Sequence, residues 1–426
     1  MGIGGSGVSA LARVFLARGA EVSGCDIRES HTTRQLAAEG AKIAIGHDPA
    51  HVRDQDQLVY IGAIHSGSEE VRAARAAGVR VLTRAEMLAE LIAEGDGIVV
   101  AGTHGKTTVT GMAGHVLVAA GLDPTVLVGD GSSSRVGCGR WLIAEGDESD
   151  GSLSLHRPQH GLLTSVEFDH PDHFADLSQV DTLFRDFLAA IPGVAVVCAD
   201  YPRAVAMPVG GRRVTYGLSA QADFRCVEVG TGRFRVERNG SRLAELRLVV
   251  PGAHNRLNAT GVIAMAAELG IEAGVAADAL SSFPGTRRRM ERLGTWRGAS
   301  VYDDYGHHPT KVRVTLAAAR ELGHQRLVLV FQPHRYSRYR ALRDDFAASL
   351  RDADAVVVTE IYAAGEPNPG HLTAADLAAL VPDARFAPDF AAAREHLESL
   401  VKPGDLLLLM GAGDIRSLGD ELAHAG

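Results

Sequence analysis

Lysine is scarce in this chain of 426 residues. Of its 43 basic residues, four are lysines and the other 39 are arginines. The lysines stand at widely separated positions: Lys42, Lys106, Lys311 and Lys402. A composition that avoids lysine has therefore kept one at Lys106, inside the glycine-rich segment AGTHGKTTVTGM (residues 101–112). That retention suggests that the Lys106 ammonium group has a use of its own.

Paired cysteines, long apolar runs and an excess of positive charge are also lacking. The four cysteines are far apart and form no CxxC pair, so neither a zinc site nor a disulfide framework is expected, and a reduced cytoplasmic location fits. No apolar run approaches the roughly 18–20 residues that span a bilayer, and the N-terminus lacks a signal-type core, so no membrane partner and no export are expected. The net charge of −9 argues against a nucleic-acid partner, because duplex binding needs a strongly positive surface.

Apolar runs and alanine-rich stretches alternate along the chain. A content of 46% hydrophobic and 22% charged residues is ordinary for a globular protein, and the length predicts two or three domains. The apolar runs lack polar alternation, as strands buried on both faces do: 97–102, 141–146, 161–168, 194–200, 326–332, 355–361 and 405–413. The alanine-rich stretches are 111–121, 259–270, 314–322 and 341–353. This alternation predicts an α/β fold with mostly parallel sheets covered by helices.

Two breaks in the pattern predict three domains. Residues 92–97 (IAEGDG) form a polar break, and residues 283–294 (FPGTRRRMERLG) form a break rich in proline, glycine and arginine. The predicted domains are residues 1–93, 94–290 and 291–426.

One segment of the middle domain departs from the parallel pattern. Residues 234–250 carry Asn239 and Gly240 between two β-rich arms. Asn-Gly is typical of a two-residue hairpin turn. The segment therefore predicts antiparallel strands at one side of the middle domain.

The chain opens on the glycine-rich sequence MGIGGSG, which has the spacing G-x-G-x-x-G at Gly2, Gly4 and Gly7. A helix-like stretch follows, and then a strand that ends at Asp26. Such a turn lets backbone N–H groups approach a pyrophosphate at a helix N-terminus, while the acid takes ribose hydroxyls. From these residues alone, NAD, another nucleotide diphosphate and a simple tight turn all stay open.

The fingerprint needs a strand before its first glycine, and here only Met1 precedes it. Either the protein starts upstream of Met1 or the first domain lacks its first strand. We expect an upstream start, because a glycine loop without an anchoring strand is a poor folding unit. Mass spectrometry of the native N-terminus tests this expectation.

The segment GTHGKTT (residues 102–108) predicts a phosphate-binding loop between a strand and a helix. It departs from the common G-x-x-x-x-G-K-[ST] pattern, because Val100 stands at the first glycine position. Its glycines would let N–H groups face phosphate oxygens, Lys106 would reach the β- and γ-phosphates, and the Thr107 hydroxyl would bind Mg²⁺. The predicted ATP-binding residues here are Gly102, Thr103, His104, Gly105, Lys106, Thr107 and Thr108. The alternative is a glycine turn that merely caps a helix.

Two acidic clusters follow at predicted strand ends, AEGDESDGS (residues 144–152) and SVEFDHPDH (residues 165–173). Ligands sit at the carboxyl ends of parallel strands, and acidic groups there would repel ATP unless a metal intervened. The clusters therefore imply Mg²⁺, with Glu145 as a ligand beside Thr107. His170 would be a nitrogen ligand at a second metal, which Mn²⁺ would also suit. The other acidic residues of the two clusters are Asp147, Glu148, Asp150 and Asp172. For part of this set, the alternative is that they are solvated charges on loops.

A series of short motifs carries a family resemblance. In order they are GIGGSG, AGTHGKTT, EGDESD, EFDHPD, HNRLNA, GTRRRME, DDYGHHPT, FQPHRYSR, AAGE and MGAGDI. The series covers essentially the whole chain and resembles the Mur ligases of peptidoglycan synthesis. DDYGHHPT (303–310) together with FQPHRYSR (331–338) is similar to the members that join L-alanine to UDP-N-acetylmuramate.

The resemblance implies three α/β domains. They are a Rossmann-like N-terminal domain for the UDP-sugar, a central ATPase domain with a mostly parallel sheet, and a C-terminal Rossmann-like domain that closes over both. The first glycine loop would then hold a UDP pyrophosphate, and no NAD would be used. Its predicted residues are Gly4, Gly5, Ser6, Gly7 and Asp26.

The resemblance also implies roles in the second half of the chain. His254 and Asn258 are expected near the adenine. Asp303 and either Arg288 or Arg289 are expected around the ATP. Arg335 and Arg338 are expected to meet the carboxylate of the amino acid, a role that suits paired guanidinium groups, although surface salt bridges are the alternative. The residues expected to act in catalysis are Lys106, Glu145, His170, Arg335 and Arg338. For His307 and His308, ordinary hydrogen bonding is the alternative to a role.

The implied reaction is an ATP-dependent ligation of L-alanine to the carboxylate of UDP-N-acetylmuramate through an acyl phosphate. Charge neutralisation and positioning would dominate, because a carboxylate must meet a polyphosphate. A sibling ligase that adds another amino acid or a peptide is the nearer alternative. An NAD-dependent oxidoreductase would leave GTHGKTT unexplained, and an ATP-driven switch would leave FQPHRYSR and the acidic clusters unexplained.

Several residues depart from the family pattern. Ser165 stands where asparagine is usual, Gly146 where alanine is usual, and Arg287 and Met290 where glycine and phenylalanine are common. Residues 107–310 contain no lysine, whereas some siblings use a carbamylated lysine beside the second metal. Other groups must then brace that metal, or the site works without such a brace.

Overall fold

The computed structural model describes residues 1–62, 64, 67–129, 134–171, 173–230 and 232–424. Asp172, one of the predicted loop charges, lies outside the described residues. The chain divides into two compact units. The first unit comprises Met1–Val166, Asp181–Phe224 and Gly261–Ala279, and the second comprises Glu167–Val180, Arg225–Thr260 and Leu280–Gly426. The predicted domain limits near residues 93 and 290 stay predictions.

The helices are numbered in chain order through the described residues. They are α1 (Ser6–Ala17), α2 (His31–Ala38), α3 (Glu69–Ala76), α4 (Arg84–Ala93), α5 (Lys106–Ala119), α6 (Leu177–Ala189), α7 (Pro202–Ala206), α8 (Ala253–Glu268), α9 (Ala273–Ser281), α10 (Pro309–Arg320), α11 (Tyr336–Leu350), α12 (Ala375–Leu380), α13 (Phe390–Leu400) and α14 (Arg416–His424). In that part of the chain, no helix is both long and apolar enough to cross a membrane.

The strands are numbered in the same way. They are β1 (Ser23–Asp26), β2 (Lys42–Ile45), β3 (Gln57–Tyr60), β4 (Arg80–Thr83), β5 (Asp96–Ala101), β6 (Thr125–Leu127), β7 (Trp141–Glu145), β8 (His160–Leu163), β9 (Val194–Cys198), β10 (Arg212–Gly217), β11 (Phe224–Gly230), β12 (Arg233–Arg238), β13 (Ser241–Arg247), β14 (Glu291–Trp296), β15 (Ala299–Asp304), β16 (Leu327–Phe331), β17 (Ala355–Thr359), β18 (Arg385–Ala387) and β19 (Leu406–Met410). Each of the apolar runs that the sequence marks as a strand overlaps one of them.

Two parallel pairs of strands lie near the N-terminus. β1 pairs with β2 and β3 pairs with β4, both in parallel. The backbone of residues 1–3 lies between the pairs, because the Gly2 N–H donates to the Cys25 carbonyl of β1 at 2.9 Å and the Met1 amino group donates to the Val59 carbonyl of β3 at 2.7 Å. The glycine turn therefore leads into α1 from a position between β1 and β3.

Six strands of the first unit form a parallel sheet in the order β10, β9, β8, β5, β7 and β6. Its central strand β5 is buried from Gly97 to Ala101. α5 packs against β5, β6 and β7. Because both faces of such a strand are covered, its sequence is an unbroken apolar run, and the predicted α/β class with parallel sheets is confirmed.

The second unit contains a six-stranded sheet in the order β14, β15, β19, β16, β17 and β18. All neighbouring strands are parallel except β14 and β15, which are antiparallel. Alternate residues of β16 enter two different core clusters, with Leu329 and Phe331 in one and Val328 and Val330 in the other. The sheet is therefore covered on both faces.

The predicted hairpin is confirmed in the second unit. β12 and β13 are antiparallel, with Arg238 opposite Ser241. The two residues between them have positive φ, 50° at Asn239 and 80° at Gly240. This left-handed pair is what a two-residue hairpin turn requires, and it explains why asparagine and glycine stand there.

Candidate active site

The predicted phosphate loop joins the end of β5 to the start of α5. Gly102 has a φ of 130°, and a Cβ there would lie 2.2 Å from the Thr164 hydroxyl oxygen, so the position accepts only glycine. The loop backbone is held by Ser165, whose carbonyl accepts the Thr103 N–H at 3.1 Å and whose hydroxyl accepts the His104 N–H at 2.9 Å. Ser165, which stands where the family usually has asparagine, therefore anchors the phosphate loop.

The start of α5 is suited to an anion. Gly105 precedes the helix with a φ of 82°, and the first turn carries no acidic residue. The first N–H groups of any helix have no partner inside it, and they carry the positive end of the helix dipole. Lys106, Thr107 and Thr108 provide these N–H groups, so the predicted ATP-binding residues of the loop lie together at one helix end.

The Lys106 side chain lies in the loop, where it forms a buried ion pair. Its Nζ is 2.8 Å from a carboxylate oxygen of Glu148 and donates to the Gly102 carbonyl at 2.8 Å. Burial alone would lower the pKa of Lys106, but the carboxylates of Glu148, Glu145 and Asp147 raise it, so the ammonium keeps its charge. Burial raises the pKa of Glu148 to about 7, against the opposing effect of Lys106. A solvated loop charge is therefore wrong for Glu148, which is 2% exposed.

Thr107 and Glu145, both predicted metal ligands, meet at the same junction. The Thr107 hydroxyl donates to Glu145 Oε1 at 2.9 Å, and Glu145 Oε2 accepts the Gly129 N–H at 2.8 Å. The two residues meet because β5 and β7 are parallel neighbours, with Val100 opposite Glu145. A hydroxyl and a carboxylate oxygen are hard donors of the kind that Mg²⁺ takes, so this pair fits a magnesium site.

The predicted UDP-sugar residues lie together at the start of α1. The Gly4 N–H donates to Asp26 Oδ2 at 2.8 Å, and the Ile27 N–H donates to Asp26 Oδ1 at 2.8 Å. Asp26 therefore ties the glycine turn to the end of β1 with both carboxylate oxygens. Gly5 caps α1, and the first turn of the helix has no acidic residue. The set brought together is Gly4, Gly5, Ser6, Gly7 and Asp26.

In the second unit, Arg338 is buried against Asp169. The Arg338 guanidinium contacts Asp169 Oδ1 through NH2 at 2.8 Å and Nε at 2.9 Å, and the exposed fractions of the two side chains are 2% and 1%. Burial alone would raise the pKa of Asp169, but Arg338 and the nearby Lys311 hold it well below its ordinary value. The His170 ring nitrogen Nδ1 is 3.5 Å from Arg338. The sequence analysis did not identify Asp169 as the partner of Arg338, because nothing in the motif EFDHPD indicates which cation its acidic residues contact.

Arg335 differs from Arg338 in exposure and backbone. It caps α11 with φ 66° and ψ 136°, and its N–H donates to the Tyr362 carbonyl at 2.9 Å. Its side chain is 36% exposed and lies 3.6 Å from Glu366. Of the two arginines predicted to meet an amino acid carboxylate, Arg335 is the accessible one.

Asp303 lies at the centre of a cluster of charged residues at the end of β15. Its Oδ2 accepts from Arg288 Nε at 3.2 Å and from Arg416 at 3.3 Å, and the side chain is fully buried. Burial raises the pKa of Asp303 above its ordinary value despite these two guanidinium groups. Arg289 lies over the Tyr305 ring at 5.1 Å. Arg416 directly follows the motif MGAGDI but lies 113 positions from Asp303 in the sequence, and the sequence analysis missed it.

His254 and Asn258 lie one turn apart on α8, as their spacing predicts. Burial lowers the pKa of His254 to about 4, so the imidazole is neutral near pH 7. Asn258 is buried and contacts Asn255 at 3.4 Å. Both residues belong to the second unit, and their contact with adenine stays a prediction.

His307 and His308 make hydrogen bonds within the second unit. His307 Nδ1 lies 2.8 Å from the Tyr305 carbonyl. His308 caps α10 by accepting the Thr310 N–H at Nδ1, and its Nε2 lies 3.2 Å from the Phe168 carbonyl. The Nε2-protonated form of His308 accounts for both contacts.

Family profiles match the chain in three consecutive segments. The profile of the Mur ligase family catalytic domain matches residues 1–95. The Mur ligase middle domain matches residues 143–266, and the glutamate ligase domain of Mur ligases matches residues 288–413.

Relatives of known name match over almost the whole chain. A UDP-N-acetylmuramate–L-alanine ligase of Solidesulfovibrio magneticus is 45% identical, covering 98% of this chain and 96% of its own. One from Acidothermus cellulolyticus is also 45% identical, covering 97% of this chain and 91% of its own. The solved UDP-N-acetylmuramate-alanine ligase of Thermotoga maritima has a TM-score of 0.81 at 29% identity, covering 100% of this chain and 97% of that one. A murein peptide ligase of Psychrobacter arcticus has a TM-score of 0.73 at 25% identity, with the same coverage.

Proposed function

The chain belongs to the Mur ligase family, and from this premise we propose that it joins L-alanine to the carboxylate of UDP-N-acetylmuramate at the expense of ATP. The observation that carries the proposal is the meeting of Lys106, Thr107 and Glu145 at one strand-to-helix junction. The relatives that match over the whole chain are named for this reaction, which supports the choice of substrates.

ATP would bind with its phosphates at the start of α5. The N–H groups of the first turn and the Lys106 ammonium are the positive groups of this site. Lys106 is paired with Glu148 in the described structure, so the phosphates would compete with that carboxylate for the same ammonium group. Lys106 would then stabilise the negative charge that develops during phosphoryl transfer.

Thr107 and Glu145 would hold Mg²⁺, which supplies charge neutralisation at the phosphate oxygens when it is bound. Their hydrogen bond already aligns a hydroxyl oxygen and a carboxylate oxygen beside the phosphate loop. His170, in the second unit, stays a predicted nitrogen ligand of a second metal, for which Mn²⁺ would also serve.

Other motif residues would bind the remaining groups. The glycine turn tied by Asp26 would take the UDP pyrophosphate. Arg335, the more accessible of the two arginines, would meet the carboxylate of L-alanine, while Arg338 would keep Asp169 and His170 in position. The residues proposed to lie around the adenine and the ATP are His254, Asn258, Arg289 and Asp303.

The proposed reaction has two steps, formation of an acyl phosphate and its attack by the amine. An oxygen of the substrate carboxylate forms a bond to the γ-phosphorus, the bond to the bridging oxygen breaks, and ADP leaves. The amine nitrogen then forms a bond to the acyl carbon, and phosphate leaves with the original carboxylate oxygen while the amine loses its proton. A heavy oxygen isotope in the substrate carboxylate is therefore expected in the released phosphate.

The test is phosphate release from ATP and Mg²⁺ with UDP-N-acetylmuramate, with and without L-alanine. We expect release to need both substrates, and we expect Lys106→Met to lower kcat by at least ~100-fold because a charge-stabilising group is lost. Lys402→Met is the matched control, since Lys402 is an exposed lysine and should keep full activity.

Other outcomes would identify the alternatives. Release that needs neither substrate would contradict the ligase and leave an ATPase. Release with a peptide in place of L-alanine would point to the activity named for the murein peptide ligase of similar fold.

A further inference from the structure

A cluster of metal-ligating side chains lies in the first unit and contains no residue to which the proposed reaction assigns a role. The Cys25 cluster consists of Cys25, His47, His51 and Glu70. Cys25 belongs to β1, and Glu70 lies in the first turn of α3. His47 lies just before the short 3₁₀ turn Pro49–Val52, and His51 lies within it. Cys25 and Glu70 are each only 2% exposed.

The donor atoms of the Cys25 cluster converge. Glu70 Oε1 lies 3.3 Å from the Cys25 sulfur and 3.0 Å from His51 Nδ1. His47 Nδ1 lies 2.7 Å from Glu70 Oε2 and 3.6 Å from the Cys25 sulfur. With zinc bonds of about 2.0–2.3 Å, neighbouring donors of a tetrahedral site are roughly 3.3–3.7 Å apart. The distances from the Cys25 sulfur to Glu70 Oε1 and His47 Nδ1 lie in this range. The distances between the histidine nitrogens and the Glu70 oxygens are shorter and would have to increase by a few tenths of an ångström.

Hydrogen bonding alone leaves this arrangement crowded. Glu70 Oε1 faces Cys25 and His51, and it also accepts the Asp48 N–H at 3.2 Å. A carboxylate oxygen has about two lone-pair sites, so three donors compete for it. A cation among the sulfur, nitrogen and oxygen atoms would relieve that competition.

The cluster also has an entry path. A cavity of about 760 Å³ in the first unit is lined by Cys25, His51 and Glu70, among other residues. An ion can therefore reach the donors without unfolding of the surrounding elements, which is one requirement for a metal site.

We propose that the Cys25 cluster binds a divalent transition metal of the zinc class. The ligands are the Cys25 thiolate, a ring nitrogen of His51 and a carboxylate oxygen of Glu70, whose donor atoms all lie within 4.8 Å of one another. His47 lies beside them, with Nδ1 at 3.6 Å from the Cys25 sulfur. Sulfur and imidazole ligands favour Zn²⁺ over Mg²⁺, so this site is chemically distinct from the hard oxygen pair at Thr107 and Glu145. The Cys25 thiol releases its proton when the metal binds.

The site would brace the glycine turn. Cys25 immediately precedes Asp26, whose carboxylate holds the Gly4 N–H. A metal that joins β1 to α3 and to the 3₁₀ turn would therefore fix the strand end that carries Asp26. Cysteine spacing could not reveal this site, because its only cysteine is separated from its other ligands in the sequence.

The experiment uses the full chain, freed of metal by a chelator and kept in Mg²⁺ so that hard-oxygen sites are filled. Addition of Co²⁺ as a spectroscopic probe is expected to give a thiolate-to-cobalt absorption band that saturates at about one ion per chain, and Zn²⁺ is expected to abolish the band by displacement. Cys25→Ser should lose the band, and His51→Gln should weaken Co²⁺ binding by at least ~10-fold.

Cys138→Ser is the matched control, because Cys138 is an exposed free cysteine outside the cluster and its loss should leave the band unchanged. Added Zn²⁺ should also raise the Tm of the original protein and of Cys138→Ser, but not that of Cys25→Ser. A band that persists in Cys25→Ser, or an original protein that gives none, would overturn the proposal. Circular dichroism of each variant separates a lost site from a lost fold.

Discussion

At the scale of single residues, several motif positions have a strained backbone. His170, Arg288, Met290 and Arg335 all have positive φ, from 49° to 66°, although none is glycine. Such conformations cost of order 1–3 kcal/mol each and persist when the surroundings hold them. The backbone N–H group of each residue donates to an oxygen. The His170 N–H donates to Asp169 Oδ1 and the Arg288 N–H to Glu291 Oε2, while the Met290 N–H donates to Asp304 Oδ2 and the Arg335 N–H to the Tyr362 carbonyl. The held strain supports a functional role for these positions.

Replacement of Arg335 by glycine should separate stability from activity. Glycine accepts φ 66° without a Cβ clash. Arg335→Gly is therefore expected to raise the free energy of unfolding by about 1 kcal/mol, or to leave it unchanged. The same change removes the guanidinium proposed to bind L-alanine, so the KM for L-alanine should rise at least ~10-fold. Urea unfolding and steady-state kinetics measure the two effects.

Arg297→Gly is the control, because Arg297 is an exposed arginine with a φ of 50° in the turn between β14 and β15. It should change stability in the same direction and leave the KM for L-alanine unchanged. Unaltered kinetics in Arg335→Gly would remove Arg335 from the substrate site.

Removal of the Asp169 charge should destabilise the second unit in a pH-dependent manner. Asp169→Asn leaves Arg338 buried without its carboxylate, which costs about 3–5 kcal/mol near pH 7. The pKa of Asp169 is lower in the folded chain than its ordinary value of 3.8, so its stabilising contribution is present above that value and is lost as pH falls. The difference between the original protein and the variant should therefore shrink below about pH 4.

Urea unfolding at pH 7 and below about pH 4 measures that difference for Asp169→Asn. Asp344→Asn is the control, since Asp344 is 86% exposed and pairs with Arg343 at the surface. It should cost less than about 1 kcal/mol at either pH. A cost for Asp169→Asn as small as that would mean that the buried pair contributes little.

At the scale of elements, the sequence predicts strands and helices well where burial leaves a pattern. Strands such as β5 and β16 are covered on both faces, so their apolar runs are unbroken and visible. The run 161–168 was too long as a prediction, because β8 ends at Leu163. The Thr164 N–H still donates to the Ala101 carbonyl at the end of β5, whereas the Thr164 hydroxyl and Ser165 bond to His104 and Thr103 of the phosphate loop.

The partners of site residues could not be predicted in the same way. Lys106 pairs with Glu148 and Arg338 pairs with Asp169, across 42 and 169 positions of sequence. No periodicity specifies such a pair, since it depends on which strand ends become neighbours in the folded sheet. The motifs therefore identify the candidate residues, whereas the fold identifies their contacts.

The junction of β5 with the phosphate loop should not tolerate a side chain at Gly102. In Gly102→Ala the new Cβ would lie 2.2 Å from the Thr164 hydroxyl and 2.8 Å from the Ser165 nitrogen, at a φ of 130°. We expect a loss of about 2 kcal/mol or more in the free energy of unfolding and at least ~10-fold weaker nucleotide binding. Thermal unfolding and titration with an ATP analogue measure the two effects.

Gly121→Ala separates the clash from the backbone strain. Gly121 follows α5 with a φ of 73°, and a Cβ there would meet no atom within 4 Å. This variant should cost about 1 kcal/mol and leave nucleotide affinity unchanged. Equal affinity losses in both variants would show that general loosening, and not the loop, controls nucleotide binding.

At the scale of the whole molecule, the motif residues are divided between the two compact units. The glycine turn, the phosphate loop and Glu145 belong to the first unit, whereas His170, Asp303 and Arg335 belong to the second. Three substrates must be held, and each has its own proposed set of contacts. Substitutions in different sets should therefore change different Michaelis constants.

Asp26→Asn is expected to change the Michaelis constant of the UDP-sugar alone. The two oxygens of Asp26 accept the Gly4 and Ile27 N–H groups at 2.8 Å each, and an amide offers only one acceptor oxygen, so one of these bonds is lost. The glycine turn should loosen, and the KM for UDP-N-acetylmuramate should rise about 10-fold while those for ATP and L-alanine stay within about 2-fold. Asp123→Asn is the matched control, because Asp123 also holds a backbone N–H of the first unit, that of Cys138 at 2.7 Å, but lies outside the glycine turn. If Asp26→Asn instead raises all three constants together, the turn acts through the stability of the first unit and not through the UDP-sugar.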